Sequence, residues 1–269
     1  MKNVSIITGG SGGIGLECAK RSKDDIVIIA DINQDNLDKG KKELESLGVD
    51  VRTAICDVTN EEQIESLAKM AKELGNINSV VHTAGISSTC NNMKLVMNVD
   101  LVGTLNIIEG FLPYMESGSS MVLISSMMGY VVPPNPAYDS LMLDCKQEGF
   151  MDKILPFLQD NPSNAYNFAK RGVQLLAEKY APAYGEKGVR INSLSPGIIE
   201  TPMALEASKE HPEQMQYMQS LTPLKRNGKP EDIATVVNFL CDNSQSAFVT
   251  GSDIRVDGGL IKNLLSQKH

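Results

Sequence analysis

The chain has 269 residues, and 33 Asp and Glu against 25 Lys and Arg give a net charge of −8. That balance argues against nucleic acid or an anionic membrane as a main partner, because both ask for clustered positive charge. A hydrophobic content of 42% beside 22% charged residues suits a chain that buries a core and excludes intrinsic disorder.

The first predicted strand, Val4 to Thr8, runs into Gly9-Gly10-Ser11-Gly12-Gly13-Ile14-Gly15, and a helix follows from Leu16. In this strand–turn–helix setting Gly9 makes a tight turn, Gly13 lets the backbone approach a pyrophosphate, and Gly15 allows close helix packing. The helix N-terminus supplies N–H donors and positive dipole to phosphates. Ser11, Gly12 and Ile14 complete the predicted phosphate loop. A second strand, Ile26 to Ala30, ends at Asp31, with Ile32 after it. A carboxylate there accepts hydrogen bonds from ribose hydroxyls and repels a 2′-phosphate, so NAD is expected over NADP.

A helix-period stretch, Gln34 to Leu47, leads to a third strand, Val51 to Ile55. Glu61 to Leu74 is helical by the same period, and a fourth strand, Ser79 to His82, continues as Thr83-Ala84-Gly85. His82 is read as a packed strand residue. The fifth strand, Met121 to Ser125, ends in Ser125-Ser126-Met127-Met128-Gly129. Val131 to Pro162 opens on a Pro-rich piece and continues into a helix-like stretch, Ala137 to Leu158. Tyr166-Asn167-Phe168-Ala169-Lys170 then places a phenol and an ammonium one helical turn apart on one face. A free tyrosine titrates at about 10, and a nearby cation favours its phenolate, which suits it to acid–base work. Arg190 to Ser195 and Asp253 to Val256 are the last two strands. The long connection 198–230 between them, with a helix-like piece at Glu206 to Met218, is expected to wall a substrate site.

Strand and helix alternating this often predict one α/β domain over 1–269, a doubly wound parallel sheet of about seven strands. The five cysteines are scattered without a paired motif, which points to a reducing, cytoplasmic compartment. No leader is expected, because the apolar run Val4 to Ile7 meets the glycine loop at once. Only His82, His211 and His269 are present, without metal-ligand spacing, so no metal is expected.

Taken together, the glycine loop, the strand-end serine, the Tyr-x-x-x-Lys pair and Asp257-Gly258-Gly259 resemble the single-domain short-chain dehydrogenases/reductases, which have a Rossmann fold. The resemblance implies catalytic roles for Asn98, Ser126, Tyr166 and Lys170. Tyr166 would exchange a proton with the substrate oxygen, Ser126 would hold that oxygen, Lys170 would bind ribose and favour phenolate, and Asn98 would position a relay water. It further implies cofactor contacts at Asp57, Val58, Ala84, Gly85, Tyr166, Lys170, Pro196, Gly197, Ile199 and Thr201. The chain departs from the pattern in two places. The Asn-Asn-Ala-Gly of the family is His82-Thr83-Ala84-Gly85 here, and forty positions separate Ser126 from Tyr166 where the family has roughly a dozen. Tyr138 lies at the customary distance, but the residue four places on is Met142, not lysine.

Residues 131–162 therefore read as an insertion before the catalytic helix, with a trimmed segment between Gly85 and Asn98. That combination is similar to the bacterial 3α-hydroxysteroid dehydrogenase/carbonyl reductase group. The group implies a hydroxysteroid or bile-acid substrate, and Met127, Met128, Met203, Met215 and Met218 suit a broad apolar pocket. Other alicyclic or small alcohols, and a non-catalytic dinucleotide sensor, are the alternatives. A homodimer is expected, in preference to a tetramer.

Overall fold

A computed structural model describes residues 2–87, 89–201 and 212–267. Seven strands build one parallel sheet: β1 (Asn3–Thr8), β2 (Ile26–Asp31), β3 (Val51–Ile55), β4 (Asn76–His82), β5 (Ser120–Ile124), β6 (Arg190–Pro196) and β7 (Asp253–Val256). Their order is β3-β2-β1-β4-β5-β6-β7. The chain moves outward from β1 on one side and returns at β4 on the other. That reversal opens a crevice beyond the carboxyl ends of β1 and β4, the general place for a ligand in an open α/β sheet.

The strands are apolar on both faces because both are covered. Val4, Ile6 and Ile28 join a core with α3 (Glu61–Leu74), α5 (Gly103–Phe111) and α8 (Pro162–Glu186). Ile7, Val27 and Ile29 join a second core with α1 (Gly13–Arg21), α2 (Gln34–Ser46) and the helix Pro230–Cys241. The expected doubly wound α/β fold is present. Among the described residues, no helix is long and apolar enough to cross a membrane.

Two local departures shape the site. Between α4 (Met93–Val96) and α5 the chain forms a π-helical stretch, Met97–Val102. The helix-like stretch expected over Ala137 to Leu158 is divided into α6 (Pro136–Leu143) and α7 (Phe150–Leu158). The break falls before Phe150, where Gly149 takes a left-handed φ of 71° that ends one helix direction and starts another. Phe150, Ile154 and Leu158, spaced at i, i+4 and i+8, are buried in the same core as Phe168 and Val173 of α8. The inserted segment thus covers its apolar face with the helix that follows it. The piece expected at Glu206 to Met218 is helical over Pro212–Leu221, and its start lies outside the described residues.

Candidate active site

The glycine loop has the form a pyrophosphate needs. Gly9 has φ 66°, and a Cβ there would sit 2.7 Å from the Ala84 nitrogen; Gly13 has φ 52°, and a Cβ added at Gly12 would meet nothing within 4 Å. Helix α1 starts at Gly13 with no side-chain cap and no acidic residue in its first turn. By contrast, α2 and α3 are capped by the side chains of Asn33 and Asn60. An uncapped helix start behind a backbone-lined loop leaves donors for a phosphate. Gly15 packs so closely that a Cβ would meet the Gly9 carbonyl oxygen at 2.3 Å. Ser11 lies in the same loop, and Ile14 in the first turn of α1.

Asp31 ends β2, and the Ser11 hydroxyl donates to its Oδ2. Its Oδ1 accepts from the Asn33 N–H at 3.1 Å. Ile32 beside it is 69% exposed, an apolar surface at the end of β2. Asp57 Oδ1 accepts from the Thr59 N–H and hydroxyl at 2.9 and 2.8 Å, while Val58 is buried. Asp31 and Ile32 close β2, and Asp57 and Val58 follow β3, its neighbour in the sheet.

Thr83 takes over the cross-strand bond expected of an asparagine. Its hydroxyl donates to the carbonyl of Thr8 at 2.7 Å, with the Gly9 carbonyl at 3.3 Å. His82 is fully inside the sheet, its Nδ1 2.7 Å from Thr8 Oγ1 and its Nε2 3.1 Å from Thr104 Oγ1. Burial, with Lys170 adding to it, pushes its imidazole down to about 3. A neutral, doubly bonded histidine is a packing residue, as the sequence indicated.

Helix α8 carries Tyr166 and Lys170. The Lys170 Nζ lies 5.5 Å from the centre of the Tyr166 ring and donates to the Ile124 carbonyl at 3.4 Å. The end of β5 is fastened to this helix: Ser125 Oγ donates to the Lys170 carbonyl at 2.7 Å. Gln174 Nε2 donates to the Ser126 carbonyl at 3.3 Å and to Ser195 Oγ at 3.0 Å. The Ser126 hydroxyl accepts from the Met128 N–H at 3.2 Å and begins the short 3-10 turn Met127–Val131. Tyr138 plays no part here. Its hydroxyl donates to the Pro133 carbonyl, and its ring stands edge-on to Phe157 and Phe168 at 5.4 and 4.9 Å.

The position given to Asn98 needs correction. Asn98 is exposed on the π-helical stretch, and its carbonyl accepts the Gly103 N–H. The residue beside Lys170 is Asp100, 1% exposed, with Oδ2 3.3 Å from Nζ. Its Oδ1 accepts from the Ile86 N–H at 2.7 Å. A Cβ on Gly85 would lie 3.3 Å from Nζ and 3.4 Å from Asp100 Oδ1, so Gly85 gives this pair its room. Asp100 lies on the buried side of the π-helical stretch together with Met97 and Leu101.

The loop after β6 is pinned by backbone bonds. The Gly197 N–H donates to the Val256 carbonyl at 3.0 Å, and Ile199, buried, pairs with Gly228. The Thr201 N–H donates to the Ile199 carbonyl at 2.8 Å, and Pro196 ends β6. Met127 forms a small apolar cluster with Leu260 and Ile261, against which Met128, Ile198, Met218 and Leu221 pack. Met203 lies outside the described residues, as does the Met215 side chain.

Residues 3–140 match the family model described as short chain dehydrogenase, and residues 159–261 match the one described as Enoyl-(Acyl carrier protein) reductase. Neither match reaches 141–158, inside the inserted segment. The chain is 31% identical to the 3-oxoacyl-(acyl-carrier-protein) reductase FabG of Thermotoga maritima, over 96% of this chain and 97% of that protein. It is 29% identical to the short-chain dehydrogenase/reductase bsc3 of Alternaria brassicicola, over 98% of both. Among solved structures, a glucose/ribitol dehydrogenase of the same family from Brucella melitensis superposes with a TM-score of 0.77 at 26% identity, covering 96% of each chain. The chain belongs to the short-chain dehydrogenase family, oxidoreductases that bind a nicotinamide dinucleotide.

Proposed function

We propose that the protein interconverts a secondary alcohol and a ketone with NAD, and that the alcohol is a hydroxysteroid or bile acid. The observation that carries the chemistry is the Tyr166–Lys170 pair on α8, with Nζ 5.5 Å from the ring and the serine-bearing end of β5 bonded to the same helix. A bound nicotinamide supplies the acceptor or donor of a hydride. Gly9 to Gly15 hold its pyrophosphate, Asp31 its adenosine ribose, and Pro196, Gly197, Ile199 and Thr201 orient its carboxamide end. In the oxidative direction the Tyr166 oxygen takes the proton of the substrate hydroxyl while Ser126 holds the same oxygen by a hydrogen bond. The Lys170 ammonium favours the phenolate that this step requires.

Asp31 supports NAD, because its carboxylate suits a ribose diol and repels a 2′-phosphate. The steroid class draws support from Met128, Ile198, Met218 and Leu221, partly buried apolar side chains packed together on Met127, since flexible thioethers suit a bulky alicyclic body. It also agrees with the two-helix insertion before α8. The test is a panel of 3-, 7-, 12- and 17-hydroxysteroids with both cofactors, alongside Tyr166→Phe. The expected result is NAD-linked oxidation of at least one steroid, abolished by the substitution with NAD binding retained. Ready turnover of small polar alcohols with no steroid oxidised would transfer the assignment to a different alcohol. A homodimer is part of the same reading, and a monomer mass by light scattering would refute it.

A further inference from the structure

We propose that Asp100 is a positioning residue that shares the Lys170 ammonium with Tyr166 and so sets the pH at which the phenol works. The inference rests on the proposed alcohol–ketone chemistry. It begins from a buried carboxylate that the Tyr166–Ser126–Lys170 mechanism does not use. Asp100 is 1% exposed and Lys170 6%, so water does not screen the charges between them. Nζ lies 3.3 Å from Asp100 Oδ2, an ion-pair distance, yet among the described residues Oδ2 has no aligned hydrogen-bond donor. The ammonium therefore donates to the Ile124 carbonyl while the Asp100 carboxylate attracts it at ion-pair distance and the Tyr166 ring lies 5.5 Å away.

The resemblance anticipates a neutral asparagine in this part of the site. With an amide beside it, Lys170 presents a full positive charge to the phenol. With a carboxylate beside it, much of that charge is cancelled, and phenolate forms at higher pH. Burial pushes the Asp100 carboxyl above its ordinary value, and Lys170 opposes that push. Burial works against charge on Lys170, but Asp100 and then Tyr166 outweigh it, so the lysine is held above its ordinary value and stays an ammonium.

The other ionisable groups around the pair do not share this task. His82 on β4 is neutral between its two threonines. Lys94 on α4 is exposed, and Glu109 on α5 is bonded to Lys146 and Tyr180. Arg171 on α8 is engaged by Asp139, with N–O distances of 2.7 and 2.6 Å.

The test replaces Asp100 with Asn, which removes the charge, keeps the shape and leaves an oxygen for the Ile86 N–H. Two readouts are taken: the pH profile of oxidative kcat/KM, and the ultraviolet phenolate titration of the protein minus that of its Y166F counterpart. The expected result is a downward shift of about one pH unit in both midpoints, with oxidation below the midpoint faster by up to about tenfold. A folded D100N protein whose midpoints are unmoved, or move upward, overturns the proposal. Should D100N fail to fold, Asp100→Ser, also neutral, is titrated with the same two outcomes. If the wild-type protein oxidises no alcohol, the functional reading fails by itself. The phenolate titration needs no substrate and still decides the role of Asp100.

Discussion

The Thr83 hydroxyl donates to the Thr8 carbonyl at 2.7 Å, joining the ends of β1 and β4 where the strand order reverses. The backbone N–H of Thr83 reaches the same oxygen at 3.0 Å, so that carbonyl is doubly bonded. Thr83→Val keeps the shape and removes one bond. It should cost about 1 kcal/mol, because the Thr8 carbonyl retains a donor. Thermal unfolding is the measurement, and a midpoint equal to wild type would show that the hydroxyl adds nothing.

Asp31 offers a test of cofactor choice. With Ser11 and the Asn33 N–H both donating to it, the carboxylate is fixed at the end of β2 before any ligand arrives. Asp31→Ala removes two charge-assisted acceptors and the repulsion of a 2′-phosphate. The NAD-over-NADP ratio of kcat/KM should fall by roughly ten- to a hundredfold, the equivalent of a hydrogen bond to a charged group. An unchanged ratio would remove Asp31 from specificity.

Tyr138 and Tyr166, the proposed acid–base residue, stand in different surroundings. Tyr138 sits at the conventional spacing after Ser126, but its ring is locked between Phe157 and Phe168 and its hydroxyl is used by Pro133. Tyr138→Phe should leave kcat within about twofold and cost about 1 kcal/mol of stability, the value of one hydrogen bond. A loss of turnover comparable to that of Tyr166→Phe would reverse the assignment.

The contrast also shows what a sequence discloses. Strands such as Val51–Ile55 and helices such as Glu61–Leu74 were legible because hydrophobic period determines them directly. The glycine loop was legible because glycine takes the left-handed φ values at Gly9 and Gly13 without the strain a side chain brings. Asp100 was not. Asn98 has the residue type of the resemblance, whereas Asp100 shares the buried face of Met97, Leu101 and Thr104, and nothing near it in the chain names its partner Lys170, seventy positions away. Nor did the break between α6 and α7 show itself, because Gly149 is one glycine among helix-forming neighbours.

His82 links the core to acid stability. Its imidazole is held at about 3 by burial, against about 6.5 in an unfolded chain. The unfolded state therefore binds more protons than the native state between these values. The stability from His82 is fully present above about 6.5 and is lost as pH falls toward about 3. From pH 7 to pH 5 the loss should be about 2 kcal/mol. Denaturant unfolding at both pH values measures it, and His82→Asn, which does not titrate, should lose that much less. Parallel pH dependence in the two proteins would place the linked protons elsewhere.

Gly129 fixes the distance between the serine turn and α8. A Cβ there would lie 2.6 Å from Gln174 Nε2 and 2.9 Å from the Arg171 backbone nitrogen. Gln174 can swing away, but the Arg171 nitrogen belongs to the helix and cannot. Gly129→Ala should therefore push the turn that begins at Ser126 away from α8, and with it the hydroxyl away from the substrate oxygen that it is proposed to hold together with Tyr166. A displacement on the order of 1 Å can cost about a hundredfold in rate, so kcat should drop by one to two orders of magnitude. The glycine loop and Asp31 belong to β1 and β2, two or more strands from the β5 end that carries Ser126, so NAD affinity should be unchanged. Steady-state kinetics paired with a cofactor titration makes the distinction. Equal losses in kcat and in NAD affinity would mean that the substitution disturbs the whole sheet edge and not the serine alone.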